Sequence, residues 1–188
     1  FGFAVASSGS DFFGATLDLG CGTGLSGEAF SRGCSFIDGI DISQNMLSKA
    51  EEKGVYRQLL CGEITTLLKS SLSEKFDLAL AADVLAYFGE LDTIFYLTAV
   101  NVAAGGLFYF SVETIGDEIT DSFVLQESGR FAHSDRYIRK TAENNGWTHI
   151  DSRPLNLRKE RGRWIQGMMY VFRLKCSTEH RGLLDQPA

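Results

Sequence analysis

The sequence predicts an α/β domain in which seven strands form a mostly parallel sheet with helices on both faces and an antiparallel last strand. Three observations carry this. Short apolar runs alternate with helical stretches from about residue 15 to about residue 112. A glycine-rich turn follows the first apolar run and opens the first of those helices. The last two apolar runs, 147–155 and 168–175, are joined by a basic loop with no long helix. Alternating strands and helices imply parallel strands joined by crossovers. Two strands without a crossover helix pair antiparallel.

Each element has its own reason. Residues 15–19 form the first strand, and a helix over 23–32 closes at Gly33. The second strand is 35–40; Ser43 then caps a helix that runs to Lys53, with Gly54 past its end. Residues 55–60 read as strand three and 63–70 as a short helix. The continuous apolar run 76–82 suits a strand buried on both faces. Asp92 caps a helix to about Ala103, Gly105-Gly106 ends it, and 107–112 is strand five. Beyond it comes a polar stretch, then a helix over 135–145 ended by Gly146, then the two closing strands. Residues 1–14 read as an N-terminal extension, 15–175 as the domain and 176–188 as a C-terminal tail.

Composition narrows the function classes. The 188 residues are 44% apolar and 22% charged, an ordinary globular balance that suits one domain. The net charge of −6 argues against non-specific nucleic-acid binding, which rests on neutralising phosphates. Cys21, Cys34, Cys61 and Cys176 show no CxxC pair, so they read as reduced thiols in a cytoplasmic protein. No apolar run reaches the length of a membrane span, and residues 1–10 lack the basic start of a signal peptide. His133, His149 and His180 are scattered without ligand spacing, so no metal is expected.

The sharpest motif is Asp18-Leu19-Gly20-Cys21-Gly22-Thr23-Gly24, between a strand and a helix. Glycines permit the tight turn and leave bare backbone for a ligand. The helix start beyond offers unpaired N–H groups to an anion. Dinucleotides use such a turn with the spacing GxGxxG. Here the third glycine comes one position early, and the antiparallel ending also disfavours a nicotinamide dehydrogenase. S-adenosylmethionine (SAM) instead carries an ammonium beside its carboxylate, and Asp18 precedes the glycines where an acid suits that ammonium. A plain structural turn is the bland alternative for Asp18, and an Asx-type helix cap is that for Asp41.

The string resembles the first motif of class I SAM-dependent methyltransferases, and the resemblance runs through most of the chain. It implies a Rossmann-like fold, SAM as cofactor and S-adenosylhomocysteine as product. It implies that Asp18, Gly20, Cys21, Gly22 and Gly24 line the cofactor and that Asp41 takes the ribose hydroxyls. Ile42 and Met46 would pack on adenine; Gly62-Glu63-Ile64 matches a segment whose acid accepts the adenine amine, here Glu in place of Asp. Asp83 ends strand four, where the family approaches both cofactor and acceptor. Within the class, the chain is similar to predicted methyltransferases often fused to tetratricopeptide repeats. That likeness lies in Ala81-Ala82-Asp83-Val84-Leu85, in 128–134 and in Arg158-Lys159-Glu160-Arg161-Gly162. No such repeat occurs in this sequence.

Methyl transfer from a sulfonium needs orientation and exclusion of water, and a base only where the nucleophile must lose a proton. Ligands in open α/β sheets sit beyond the carboxyl ends of the strands. Asp83 and Glu113 are therefore expected to face the crevice, with Tyr87 and Phe88 as stacking walls. In the family, helices usually precede strand one and close over the site; only about fourteen residues precede it here, so either that lid is missing from this chain or the segment around 114–134 takes over as cover. Arg130 would then hold an anionic group or a carbonyl of the acceptor, and His133, with Asp83, would act on its protons. The basic residues Arg158, Lys159, Arg161 and Arg163 read as a solvated hairpin tip; an anionic acceptor group is the alternative, nucleic acid a third. The expected activity is methylation of O or N on a small molecule. A protein side chain as acceptor, or a non-catalytic SAM-fold module, are the competing readings.

Overall fold

Five parallel strands form the body of the sheet: β1 (Ala15–Leu19), β2 (Phe36–Asp41), β3 (Gln58–Cys61), β4 (Phe76–Ala81) and β5 (Val102–Thr114). The computed structural model describes residues 1–70, 72, 74–116 and 120–176. The expected tail, beyond Cys176, lies outside the described residues. Two long strands complete the sheet, β8 (Trp147–Glu160) and β9 (Arg163–Leu174). β9 runs antiparallel to β5, from Leu107↔Arg173 to Glu113↔Gly167, and β8 runs antiparallel to β9. The order is thus β3-β2-β1-β4-β5-β9-β8, with the chain reversing its direction of travel between β1 and β4. Such a switch point opens a crevice at the carboxyl ends of the strands.

Alternation sorts the core onto two faces. Leu17, Ala79, Phe108 and Phe110 pack on one face with Ile64, Ile94, Phe95, Ile138 and Trp147. These come from α4 (Ile64–Lys69), α5 (Asp92–Asn101), α6 (Asp135–Asn144) and the start of β8. Trp147 is 1% exposed and its indole N–H donates to the Phe95 carbonyl at 3.2 Å, so the large ring is buried without an orphaned donor. Leu78, Leu80, Leu107 and Tyr109 face the other way, onto Phe3, Phe13 and Phe30. Full burial of each such ring contributes about 1.5–3 kcal/mol.

Phe3 belongs to α1 (Gly2–Ser8), a helix the sequence reading had not placed. Phe3, Ala4 and Phe13 of the N-terminal segment belong to this second core cluster, and Phe1, Phe13 and Phe30 meet edge-on or tilted, with ring centroids 5.5–6.0 Å apart. On the same face lie α2 (Leu25–Phe30) and α3 (Gln44–Glu51).

Three further differences from the sequence reading matter. β5 begins at Val102, and Gly105-Gly106 lie inside it beside a register shift against β4. A Cβ on Gly106 would sit 2.9 Å from the Asp77 carbonyl, so glycine permits the bulge rather than ending the helix. The closing strands are much longer than predicted and meet at an Arg161-Gly162 turn, so Arg158 and Lys159 are strand residues. Two short strands, β6 (Phe123–Leu125) and β7 (Phe131–His133), form a hairpin in the segment between β5 and α6. Because Glu113 pairs with Gly167 on one edge, its pairing with Ala132 puts β7 on the β4 edge, past Ala81. The hairpin thus sits at the carboxyl end of β4. Among the described residues no helix is long and apolar enough to cross a membrane.

Candidate functional site

The turn after β1 takes its shape from three left-handed glycines, Gly20 (φ 64°), Gly22 (φ 54°) and Gly24 (φ 82°). L-residues adopt this region at a cost, which explains the residue type at all three positions. Gly20 has a second reason: a Cβ there would lie 2.3 Å from Val84 Cγ2, so the turn rests directly against the end of β4. A Cβ on Gly22 would meet open space, which leaves that stretch of backbone bare toward the crevice. Cys21 offers backbone only. Its N–H donates to the Ile40 carbonyl at 2.9 Å, and burial, with Asp18 and Asp41 nearby, pushes its thiol up to about 12.

Two carboxylates brace the turn. Asp18 is fully buried, and its Oδ2 accepts from Ser26 Oγ at 2.6 Å and Tyr56 Oη at 2.7 Å. Burial, with the charge of Asp41 adding to it, raises its carboxyl to about 6 despite those bonds and one from Gly27. Its Oδ1 is buried with no partner. Asp41, at the end of β2, accepts from Gly22 N–H and from Ser43 N–H, both at 2.9 Å. It is therefore a cap for the turn into α3 and a strut for the glycine loop at once. Beside it Ile42 and Met46 are 73% and 41% exposed, two apolar side chains left uncovered.

Glu63 and Ile64 are placed differently from Asp41. Both Glu63 carboxylate oxygens turn back onto the start of α4 and accept from the N–H and Oγ1 of Thr65 and Thr66. The carboxyl is held at about 2: those bonds lower it against the opposing effect of burial, which is the largest single influence. The Ile64 side chain is core, so only its backbone faces outward.

At the ends of β4 and β5 the structure brings Asp83, Tyr87, Glu113 and Arg130 together. The element that does so is the β8–β9 arm. Arg158 donates through Nη1 to Asp83 at 2.6 Å, through Nη2 to Glu113, and through Nε to Glu160 at 2.8 Å. Arg130 donates to the same Glu160 oxygen at 2.5 Å and to Tyr87 Oη at 3.2 Å, its guanidinium 5.4 Å from the Tyr87 ring centre. Asp83 itself is held at φ 55°, uncommon for a residue with a side chain, and its N–H donates to Ser111 Oγ at 2.9 Å.

His133 is an interior residue. It is fully buried, stacked on Tyr137, with Nε2–H donating to the Phe88 and Gly89 carbonyls at 3.0 Å each. Burial lowers its basicity, and the two carbonyl contacts offset this only in part. The reading of the basic residues as a solvated tip is corrected for Arg158, whose side chain is 18% exposed within the ion-pair cluster. Sequence reasoning held Arg158 only as an alternative anion site and missed Glu160 and Tyr56 as site residues. The signal for Arg158 was present in the Arg158–Gly162 similarity; that for Tyr56 was not, because its bond to Asp18 spans 38 positions. Among the described residues no group of three or more His, Cys, Asp or Glu side chains is placed to hold a metal.

A glycine loop after β1, an acid ending β2 and an antiparallel strand between β5 and the edge strand define a class I SAM-dependent methyltransferase fold. The family model described as a methyltransferase domain matches residues 17–110, half of the chain, and the chain belongs to that family. The chain is 27% identical over 99 residues to a ubiquinone biosynthesis O-methyltransferase of Coxiella burnetii, covering 50% of this chain and 42% of that enzyme. It thus spans less than two thirds of the curated relatives it matches. Its fold is similar to that of a SAM-dependent methyltransferase from Clostridium acetobutylicum (TM-score 0.70, 21% identity, 93% of this chain and 89% of that one). It is also similar to the N-methyltransferase NodS of Bradyrhizobium japonicum in complex with S-adenosylhomocysteine (TM-score 0.71, 18% identity, 92% and 84%).

Proposed function

We propose that this protein is a SAM-dependent methyltransferase that acts on an O or N atom of a small molecule. The observation that carries the reading is the bare glycine loop, strutted by Asp41 and backed by a buried carboxylate oxygen of Asp18 with no partner. The residues fit the cofactor on chemical grounds. An orphaned acceptor suits an ammonium or its bridging water, and N–H groups of a side-chain-free loop suit a carboxylate. Asp41 retains lone pairs for ribose hydroxyls, and the uncovered Ile42 and Met46 suit an adenine face. Glu63 reaches adenine only by sharing the oxygens that cap α4.

When bound, SAM supplies a methyl group already activated on a sulfonium. The protein's part is then orientation and exclusion of water. The β6–β7 hairpin and the β8–β9 arm flank the carboxyl end of β4, where they cover the acceptor. Asp83, with Glu113 beside it, holds an acceptor proton more readily than the buried His133. The names of the relatives, one a ubiquinone-pathway O-methyltransferase and one an N-methyltransferase, support a small-molecule acceptor. The thiols of Cys21, Cys34 and Cys61 fit a reducing, cytoplasmic setting.

Incubation with methyl-labelled SAM and a cell extract separates the readings. Label in the small-molecule fraction is the expected result. Label confined to protein moves the acceptor to a side chain, and S-adenosylhomocysteine binding without transfer makes the chain a binding module.

A further inference from the structure

The Arg158 cluster contains more acid than its neighbours neutralise. Asp83, Glu113 and Glu160 face two guanidinium groups, those of Arg158 and Arg130. Each donor direction of Arg158 ends on a carboxylate, and Arg130 is engaged by Glu160 and Tyr87. The Glu113 side chain is 5% exposed, so its charge depends on a cationic partner and not on water. The cluster adjoins the glycine loop, because Val84, next to Asp83, is the residue against which Gly20 rests.

Arg158 offers an anionic acceptor no open donor direction, and the one donor left without a partner on the Arg130 guanidinium, Nε, is buried; an anion also adds a further negative charge. A planar cation does the reverse: it takes over Asp83 and Glu113 from Arg158, charge for charge. The arm lets Arg158 leave. β9 pairs with β5 only as far as Gly167, and from there to the Arg161-Gly162 turn β8 and β9 pair with each other alone. A two-stranded ribbon without a third strand is marginal by itself and moves at small cost. A register shift between Asn156 and Arg158 loosens the ribbon at the residue that must move. Tyr87, 60% exposed, gives the body of an acceptor a flat wall.

We propose that Arg158 is a specificity-determining residue: it holds, as an internal cation, the place of an amine, amidine or guanidine group, and an acceptor bearing such a group displaces it. This rests on the methyltransferase reading, which makes the crevice at the ends of β4 and β5 the acceptor side. Benzamidine and benzoate test it, being the same ring with opposite planar charges. Binding of each to the full chain is measured by calorimetry, with and without S-adenosylhomocysteine. Wild type is expected to prefer benzamidine. Arg158→Ala is expected to bind it about tenfold more tightly, equivalent to ~1.4 kcal/mol, with the gain abolished by adding Glu113→Gln. Arg158→Lys, which keeps the charge but loses the fork, is expected to show a smaller gain and serves where Arg158→Ala does not fold. Preference for benzoate that disappears in Arg158→Ala overturns the proposal, as does benzamidine affinity unchanged in both variants. S-adenosylhomocysteine binding, measured on every variant, separates the two layers. Its absence from wild type fails the methyltransferase reading, whereas its presence without a benzamidine gain fails the displacement alone.

Discussion

Replacing Asp41 by Ala removes one carboxylate from two backbone donors and, on the reading above, from the cofactor. The N–H groups of Gly22 and Ser43, each 2.9 Å from an Asp41 oxygen, lose a charged acceptor. Hydrogen bonds to charged groups are worth ~1.5–3 kcal/mol each when water cannot replace them. Asp41 is only partly buried, so water recovers much of this, and the two together are worth about 1–3 kcal/mol. In a chain of this size each kcal/mol lowers Tm by ~2–4 °C, so scanning calorimetry should show a drop of about 2–12 °C in a protein that still folds. Titration calorimetry should show S-adenosylhomocysteine affinity falling by about 10- to 100-fold, the loss of one charged contact. Asp41→Asn keeps one acceptor oxygen and should fall between. A folded Asp41→Ala variant with undiminished affinity would refute the ribose role and leave Asp41 a cap and strut. An unchanged Tm would refute the strut as well.

Three further outcomes follow from the geometry. His133→Ala should lower stability in urea by about 2–4 kcal/mol, from the cavity and the two orphaned carbonyls, without changing S-adenosylhomocysteine affinity in the folded protein; lost turnover at unchanged stability would return His133 to the chemistry. Asp18 has its carboxyl raised from 3.8 to about 6 by burial, so its ionised form opposes folding. Its contribution to stability is fully present below about pH 4 and is lost as pH rises through 6, a change on the order of 3 kcal/mol. An ammonium at Oδ1 favours the ionised form, so S-adenosylhomocysteine affinity should climb from pH 5 to 7 in wild type and flatten in Asp18→Asn. A flat wild-type profile contradicts the contact. Gly20→Ala should cost at least ~2 kcal/mol by thermal melt, from a left-handed φ of 64° and a 2.3 Å approach to Val84, with partial recovery on adding Val84→Ala; a neutral effect would mean the loop is not packed as described.

What the sequence made legible was whatever depends on local pattern. Leu17 and Leu19 alternate with Thr16 and Asp18, and Gly20, Gly22 and Gly24 mark a turn only glycine makes easily, so β1 and its loop were readable directly. Asp41 was readable from its place at the end of a strand, although its bond to Gly22 was not. Elements whose reasons are tertiary stayed hidden. α1 is seven residues of small and apolar side chains whose helix is held by burying Phe3 and Ala4. β6 and β7 are three residues each, too short for any periodicity. The length of β8 and β9 escaped because Arg158, Lys159 and Arg163 read as loop by polarity, whereas their pairing continues past the sheet. The burial of His133 was hidden for a tertiary reason too: its two carbonyl partners lie 44 and 45 positions away.

If the loop from Gly20 to Gly24 is built for SAM and not for a dinucleotide, titration calorimetry of the full chain against S-adenosylhomocysteine and against NAD, under one buffer, should distinguish the two ligands. S-adenosylhomocysteine should bind with a dissociation constant on the order of micromolar, equivalent to about −8 kcal/mol, with no comparable heat from NAD. Binding of NAD without binding of S-adenosylhomocysteine would contradict the SAM reading.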